Sequence, residues 1–246
     1  AMGDLVRHYR SRIAALGAEH DHYSYCIRGL GIAGEPEYTL VEDEVMRPVL
    51  DLFSETALQV CEGQQLDMDY EKMLNIKIED YLQMITLKTA VLLAASLKTG
   101  ALIANTTKDN AEHIYEYGKN LGIAFQLQDD ILDVYADPEK FGKQIGRDII
   151  ANKKTYLLIT ALYKANIDQY ETISQLLNDR KERFAPYEKV NRITAIYNEL
   201  GVKEIAENEV SNYYNIALEH LKKIQISDDN KRVLSEFGEH LMKREL

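Results

Sequence analysis

The 246-residue sequence has no tryptophan, four prolines and two cysteines. Two cysteines, Cys26 and Cys61, cannot form the dense disulfide framework of a small secreted domain, so we expect a reducing compartment. Long runs rich in Leu, Ala, Glu and Lys between the few prolines favour an all-helical protein. Basic residues are outnumbered, because 29 Lys and Arg accompany 40 Asp and Glu for a net charge of −11. That charge argues against nucleic acid as a partner.

Long uninterrupted apolar runs are also missing. The longest, Ala90–Ala104, contains Lys98 and is too short to span a bilayer. The N-terminal residues show no signal-peptide pattern. We therefore expect no transmembrane segment and a cytoplasmic location.

The periodicity of apolar residues predicts one large helical domain. With 46% hydrophobic residues the chain can form a substantial core, and no low-complexity linker divides it. Residues 1–43 have no clear pattern and are predicted to be an atypical N-terminal segment, followed by a helical domain over 44–246. Within this domain, helices are predicted over 45–61, from 78 onward, and over 110–135, 153–165, 168–178, 187–199, 202–224 and 229–244.

An acidic stretch, FQLQDDILDVYAD at Phe125–Asp137, ends the central predicted helix. At about 100° per residue, Asp129, Asp130 and Asp133 lie in the same sector of the helix as Gln126. Carboxylates this close repel each other, so a nearby positive charge is expected. Mg²⁺ is a natural candidate, because it prefers oxygen ligands. The alternative is a solvated acidic helix face. The apolar residues Leu121, Phe125 and Leu132 lie in a separate sector and are predicted to pack in the core.

A basic, glycine-containing segment follows directly, DPEKFGKQIGRDIIANKKT at residues 137–155. A net basic loop in an acidic protein indicates recognition of an anion. The alternative is charge balancing on a solvated loop. Lys88 lies inside an apolar helix. Mg²⁺, lysines and apolar walls together are what a diphosphate ester with a hydrocarbon tail requires, since they neutralise the leaving group and exclude water.

Four motifs occur in order: GQQLDMDYE at Gly63–Glu71, LKTAVLL at Leu87–Leu93, FQLQDDILDVYAD at Phe125–Asp137, and GKQIGRDIIANKKT at Gly142–Thr155. Together they resemble motifs of the trans-isoprenyl diphosphate synthases, or polyprenyl synthetases, of the farnesyl and geranylgeranyl diphosphate type. The resemblance covers roughly residues 44–246. Four motifs in the right order make it specific, whereas an isolated DDxxD would be weak.

The resemblance implies an all-α fold, the isoprenoid synthase bundle around a central cavity, with the N-terminal helices missing or replaced. It implies a homodimer. It also implies a Mg²⁺-dependent prenyltransferase that condenses isopentenyl diphosphate with an allylic diphosphate to give a short-chain trans-prenyl diphosphate. The allylic diphosphate ionises, isopentenyl diphosphate attacks, and a proton is lost.

The resemblance also implies roles for particular residues. The implied Mg²⁺ ligands are Asp129, Asp130 and Asp133. The implied diphosphate-binding residues are Lys88, Lys143 and Lys153. The implied catalytic residues beside the allylic cation are Lys88, Thr89 and Gln126. Supporting roles are implied for Gln64, Asp67 and Asp148.

The chain departs from the family pattern before the GQQLD motif. Residues 1–43 contain neither the family's first aspartate-rich motif with its arginine pair nor its N-terminal segment that binds isopentenyl diphosphate. Three interpretations are open. The sequence can be an incomplete part of a normal synthase, with a segment lost or replaced. It can be a non-catalytic or regulatory partner subunit whose missing half comes from another chain, or a helical protein with a solvated acidic face. Product length and the allylic substrate are left open.

Overall fold

The computed structural model describes residues 43–73, 75–137, 145–178 and 184–243. Apart from Asp43 and Glu44, these belong to one compact unit, Val45–Leu246. Lys143, predicted to bind diphosphate, lies outside the described residues. So does the predicted N-terminal segment apart from its last residue, Asp43.

The described chain is helical throughout, with no strand in these ranges, which confirms the all-α class. The helices are α1 (Asp43–Tyr70), α2 (Ile78–Ile85), α3 (Val91–Ile103), α4 (Lys108–Tyr135), α5 (Arg147–Ile150), α6 (Tyr156–Lys164), α7 (Ile167–Leu177), α8 (Pro186–Glu199), α9 (Val202–Lys223) and α10 (Asp228–Met242). A π-helical turn, Thr86–Ala90, joins α2 to α3. Helices α6 to α10 match the predicted segments to within three residues at each end.

Helix α1 is longer than its periodicity predicts. The polar residues after Cys61 were expected to end it, but it continues to Tyr70. The reason is contact with another element. A Cβ atom built on Gly63 would lie 2.8 Å from the Leu87 carbonyl carbon, so only glycine lets α1 rest directly on the π turn. The GQQLD motif is therefore helical.

Helix α4 forms the centre of the fold. Its first half packs on α9, where Tyr117 and Leu121 form an apolar cluster with Leu221 and Ile224. Its second half packs on α2 and α6 in a larger cluster that includes Tyr81, Ile123, Leu127, Ile131, Val134, Tyr156 and Leu157. Leu121 and Leu132 are buried as predicted, but Phe125 is only partly buried, because the buried face is centred nearer Leu127.

The continuous helix Ile78–Ile103 is long and apolar enough, by length and composition, to cross a membrane, and it is the one such helix in the described ranges. The predicted absence of a transmembrane segment rested on the apolar run Ala90–Ala104 alone, although the helix predicted from residue 78 onward already covered both α2 and α3. Buried core helices meet the same criterion. Tyr81, Met84 and Ala90 of this helix are buried in the core.

Two glycines let α4 and α3 approach closely. A Cβ atom on Gly118 would lie 2.8 Å from the Ala94 Cα, and one on Gly122 would lie 2.7 Å from the Ala90 Cα. Four residues apart, they form a flat strip on α4 that faces alanines on the neighbouring segment. At Gly100, by contrast, a Cβ atom would meet no other atom within 4 Å.

We expect Gly122→Ala to lower the free energy of unfolding and Gly100→Ala to raise it. Alanine favours a helix over glycine by about 1 kcal/mol at either position. At Gly122 that gain is outweighed, because overpacking against Ala90 costs about 1–3 kcal/mol. Urea denaturation of the two variants measures both signs. Equal stabilisation by both would contradict the close packing of α4.

Candidate functional site

Lys88, on the π turn, is paired with Asp67 of α1. The Lys88 Nζ donates to Asp67 Oδ2 at 2.5 Å, and the two side chains are 33% and 15% exposed. The contact exists because Gly63, one turn before Asp67, brings α1 against the backbone of Lys88. Gln64, the residue after Gly63, is partly buried. A π turn widens the helix and is often found at functional sites.

The next position on the π turn connects to α4. The Thr89 hydroxyl lies 3.4 Å from Gln126 Oε1, and Gln126 Nε2 lies 3.5 Å from Asp130 Oδ1. Both contacts are long for hydrogen bonds and therefore weak. They nevertheless place the three polar groups in a row that leads from the helix surface to a buried carboxylate.

Asp130 is the buried end of that row, with 2% of its surface exposed. Its Oδ2 accepts hydrogen bonds from the Tyr81 hydroxyl of α2 and, at 3.3 Å, from the Tyr156 backbone N–H of α6. Burial raises the pKa of Asp130 to about 7, and the Tyr81 hydrogen bond and the charge of Lys153 offset only part of that effect. The pKa of Tyr81 is also raised, by its own burial and then by Asp130.

Asp133 and the segment after α4 form a second group. Asp133 Oδ2 accepts from the Asp148 N–H at 3.0 Å, and the Asp133 carbonyl accepts from the Gly146 N–H at 2.6 Å. Gly146 has a φ of +73°, which favours glycine. Arg147 Nε lies 3.7 Å from Asp133 Oδ1. Burial raises the pKa of Asp133, with the Asp148 N–H opposing it.

Lys153 connects this group to the rest of the site. Its Nζ donates to Asp148 Oδ2 at 3.2 Å, with side chains 34% and 24% exposed. Burial acts to lower the pKa of Lys153, but Asp148, then Asp130 and Asp67, raise it overall. Carboxylates from α1, α4 and α5 therefore act on one ammonium group.

Lys189 of α8 binds the chain between α5 and Lys153. Its Nζ donates to the Ile150 carbonyl at 3.2 Å, where α5 ends, and to the Asn152 side chain. Asn152 in turn donates to the Leu177 carbonyl at 3.1 Å and has a φ of +58°. These contacts fix the backbone just before Lys153.

The predicted Mg²⁺ ligands do not form one open cluster. In the described ranges no group of three or more His, Cys, Asp and Glu side chains is arranged to hold a metal. Asp129 is exposed, Asp130 is buried and Asp133 is partly buried, and the carboxylates of Asp130 and Asp133 accept protein hydrogen bonds. Mg²⁺ commonly uses one or two carboxylates together with water and phosphate oxygens. The assignment of Asp129, Asp130 and Asp133 as Mg²⁺ ligands therefore stays a prediction.

Six of the other predicted residues lie in this region. Those that the structure brings together are Asp67, Lys88, Thr89, Gln126, Asp148 and Lys153. Tyr81 was missed, although it lies seven residues, or about two turns, before Lys88 in an apolar helix. A buried tyrosine hydroxyl normally has a hydrogen-bond partner, and that requirement was the available signal.

A surface groove of about 290 Å³ lies between α7 and α8 and contains none of these residues. Its lining is Asp168, Gln169, Thr172, Arg192, Ala195, Ile196 and Glu199.

Comparison with known proteins shows the family of this chain. The family model described as polyprenyl synthetase matches residues 37–200, about two thirds of the chain. The chain belongs to the polyprenyl synthetase family. The match starts earlier than the resemblance at residue 44, and it ends at the turn before α9.

Curated members of the polyprenyl synthetase family align over most of this chain. The short chain isoprenyl diphosphate synthase of Methanothermobacter thermautotrophicus is 31% identical over 83% of this chain and 61% of its own length. The geranylgeranyl diphosphate synthase of Sulfolobus acidocaldarius is 32% identical over 80% of this chain and 57% of its own. The chain thus spans about three fifths of the length of these relatives.

Solved structures of the family confirm the isoprenoid synthase fold. A geranylgeranyl pyrophosphate synthase superposes with a TM-score of 0.77 at 36% identity, over 83% of this chain and 63% of that one. The geranylgeranyl pyrophosphate synthetase of Pyrococcus horikoshii gives 0.76 at 26% identity, over 91% and 65%.

We expect Tyr81→Phe to lower the free energy of unfolding by about 1.5–3 kcal/mol, because it removes a hydrogen bond to a buried carboxylate. Tyr135→Phe is the matched control. The Tyr135 hydroxyl donates to Asn198 Oδ1 at 3.0 Å, and both groups are uncharged, so its loss should cost only about 1 kcal/mol. Denaturant unfolding of both variants measures the two changes in the free energy of unfolding. Equal decreases would contradict a stronger hydrogen bond at Asp130 than at Asn198.

Proposed function

We propose that this chain provides a diphosphate-binding surface of a Mg²⁺-dependent prenyltransferase. The reaction is condensation of isopentenyl diphosphate with an allylic diphosphate to give a short-chain trans-prenyl diphosphate. The observation that carries the proposal is that two lysines from separate segments pair with carboxylates, Lys88 with Asp67 and Lys153 with Asp148, and that Asp67 also raises the pKa of Lys153. The named activities of the curated relatives support it.

The two lysines have a defined task in this proposal. In the free protein Lys88 is paired with Asp67 and Lys153 with Asp148. Each ammonium has three N–H donors and its carboxylate partner occupies only part of that capacity. A diphosphate can therefore accept from both lysines while the carboxylates keep them oriented. Bound Mg²⁺ would supply the remaining positive charge on the leaving group.

Thr89 and Gln126 face the same region with uncharged dipoles. Their oxygens can point toward a developing allylic cation and stabilise it. Because these oxygens are uncharged, they are less prone than an anion to form a bond with it. Asp129, Asp130 and Asp133 are the groups proposed to hold Mg²⁺, and Asp129, three residues after Gln126 on α4, is the exposed one of the three. Asp130 and Tyr81 keep α4 in position beneath it.

Asp129→Asn and Lys88→Met should each lower kcat/KM for prenyl transfer by roughly 10²–10³-fold, because each removes a charge that acts on the diphosphate. The assay combines the protein, Mg²⁺, geranyl diphosphate and labelled isopentenyl diphosphate. Asp168→Asn and Lys164→Met, on α7 and α6, are controls with the same chemical change away from the site. They should keep the activity of the parent chain.

Two results would contradict the proposal. The first is a folded parent chain that yields no elongated product and binds no diphosphate with Mg²⁺. The second is equal activity of the site variants and their controls. A chain that is inactive alone but changes the rate of a full-length synthase would instead support the partner-subunit interpretation.

We also propose, from the resemblance, that the protein is a homodimer in the cytoplasm. Light scattering after size-exclusion chromatography should give twice the chain mass of 28.2 kDa. For location, a tagged protein should co-fractionate with soluble enzymes after cell lysis. A monomer, or recovery in the membrane fraction, would overturn the respective proposal.

A further inference from the structure

Two histidines face each other across the contact between α4 and α9, at the opposite end of α4 from the proposed prenyl-transfer site. The Nδ1 atoms of His113 and His220 lie 3.2 Å apart, and the ring centroids are 5.3 Å apart with an interplanar angle of 56°. Both residues are partly buried. Without a metal, one neutral ring can donate an N–H to the other.

The same separation suits two ligands of one metal ion. Zinc–imidazole bonds are about 2.0–2.1 Å long, so two nitrogens in a tetrahedral arrangement lie about 3.3 Å apart. The metal would replace the single proton shared by the two rings. The remaining positions would be filled by water, because no third His, Cys, Asp or Glu completes a cluster in the described part of the chain.

A buried side chain next to the histidine pair joins α4 to the end of α9. Asn110, one turn before His113, is 6% exposed and bridges to the chain just after α9. Its Oδ1 accepts from the Gln225 N–H at 2.7 Å, and its Nδ2 donates to the Gln225 carbonyl at 3.2 Å. These bonds fix the register of α4 against α9 beside the imidazoles, so little ordering is required when a metal binds.

The charges around the pair leave the rings able to bind a cation. Burial lowers the pKa of His220, and Lys223, His113 and Lys119 act in the same direction against Glu116. Neutral imidazole is the form that binds a metal. The nearby lysines oppose a dication, but Lys119 is itself paired with Glu116 at 2.6 Å.

Asp109, also on α4, lies on the far side of the first ring. Its Oδ2 is 3.9 Å from His113 Nε2, beyond hydrogen-bonding distance but close enough for charge attraction. A carboxylate on the outer nitrogen is the usual support for a histidine ligand, because it favours the tautomer whose inner nitrogen is free to bind.

We propose that His113 and His220 form a two-imidazole site for a borderline divalent cation such as Zn²⁺, which would link α4 to α9. Imidazole favours Zn²⁺ over Mg²⁺, which prefers oxygen ligands. The site is therefore distinct from the proposed Mg²⁺ site in both position and chemistry, and it does not depend on prenyl transfer.

Calorimetric titration of Zn²⁺ into the full chain tests this, with excess Mg²⁺ in every sample to occupy the carboxylates. The parent chain should show one tight Zn²⁺ equivalent, and His113→Asn and His220→Asn should each weaken it about tenfold or more. His240→Asn is the matched control, because His240 is exposed on α10. Zn²⁺ should also raise Tm in the parent and control but not in the two variants, since it binds the folded state.

Unchanged tight binding in the double variant His113→Asn/His220→Asn would overturn the proposal, as would loss of binding in the control alone. If the variants do not fold, the parent chain provides an independent readout. One equivalent of Zn²⁺ should shift the imidazole NMR signals of His113 and His220 and leave that of His240 in place. Unshifted signals from the pair would overturn the proposal as well.

Discussion

The burial of one carboxylate, Asp130, constrains much of the described fold. A buried carboxylate without partners costs several kcal/mol, so the surrounding elements must supply donors. Tyr81 supplies one from α2, and the Tyr156 backbone supplies another from the start of α6. Three helices distant in sequence are therefore tied at one point. The π turn that follows α2 carries Lys88, and the segment that leads into α6 carries Lys153. Both lysines are therefore close in sequence to a residue that contacts Asp130.

Two lysine–aspartate pairs lie around this centre. Asp67 is matched by Lys88, and Asp148 by Lys153. Lysines held this way are partly desolvated and already oriented, so binding an anion requires little further ordering. Glycine makes the arrangement possible at Gly63, where any side chain would separate α1 from the π turn and lengthen the distance between Asp67 and Lys88. The helix packing and the charge pairing are thus one geometric solution.

Helix α4 carries two different polar contacts on one scaffold. Near its C-terminal end lie the aspartates of the proposed Mg²⁺ site, and near its N-terminal end lies the histidine pair with α9. Between them, Gly118 and Gly122 allow close contact with alanines, and the helix is buried on most of its circumference. A well-packed central helix can hold polar groups in fixed positions because its neighbours cannot move away from it.

The sequence by itself determined the helical class, the bounds of α6 to α10 and the order of the family motifs. These depend on local periodicity, on capping residues such as Thr107 and on residue identity, all of which are legible along the chain. Tertiary structure alone decided that α1 continues past Gly63, that Phe125 is less buried than Leu127 and that Asp130 faces Tyr81, 49 residues away. It also brought His113 to His220, 107 residues apart. Spacing along a helix sets the angle of each side chain, but only packing decides which angles face a partner.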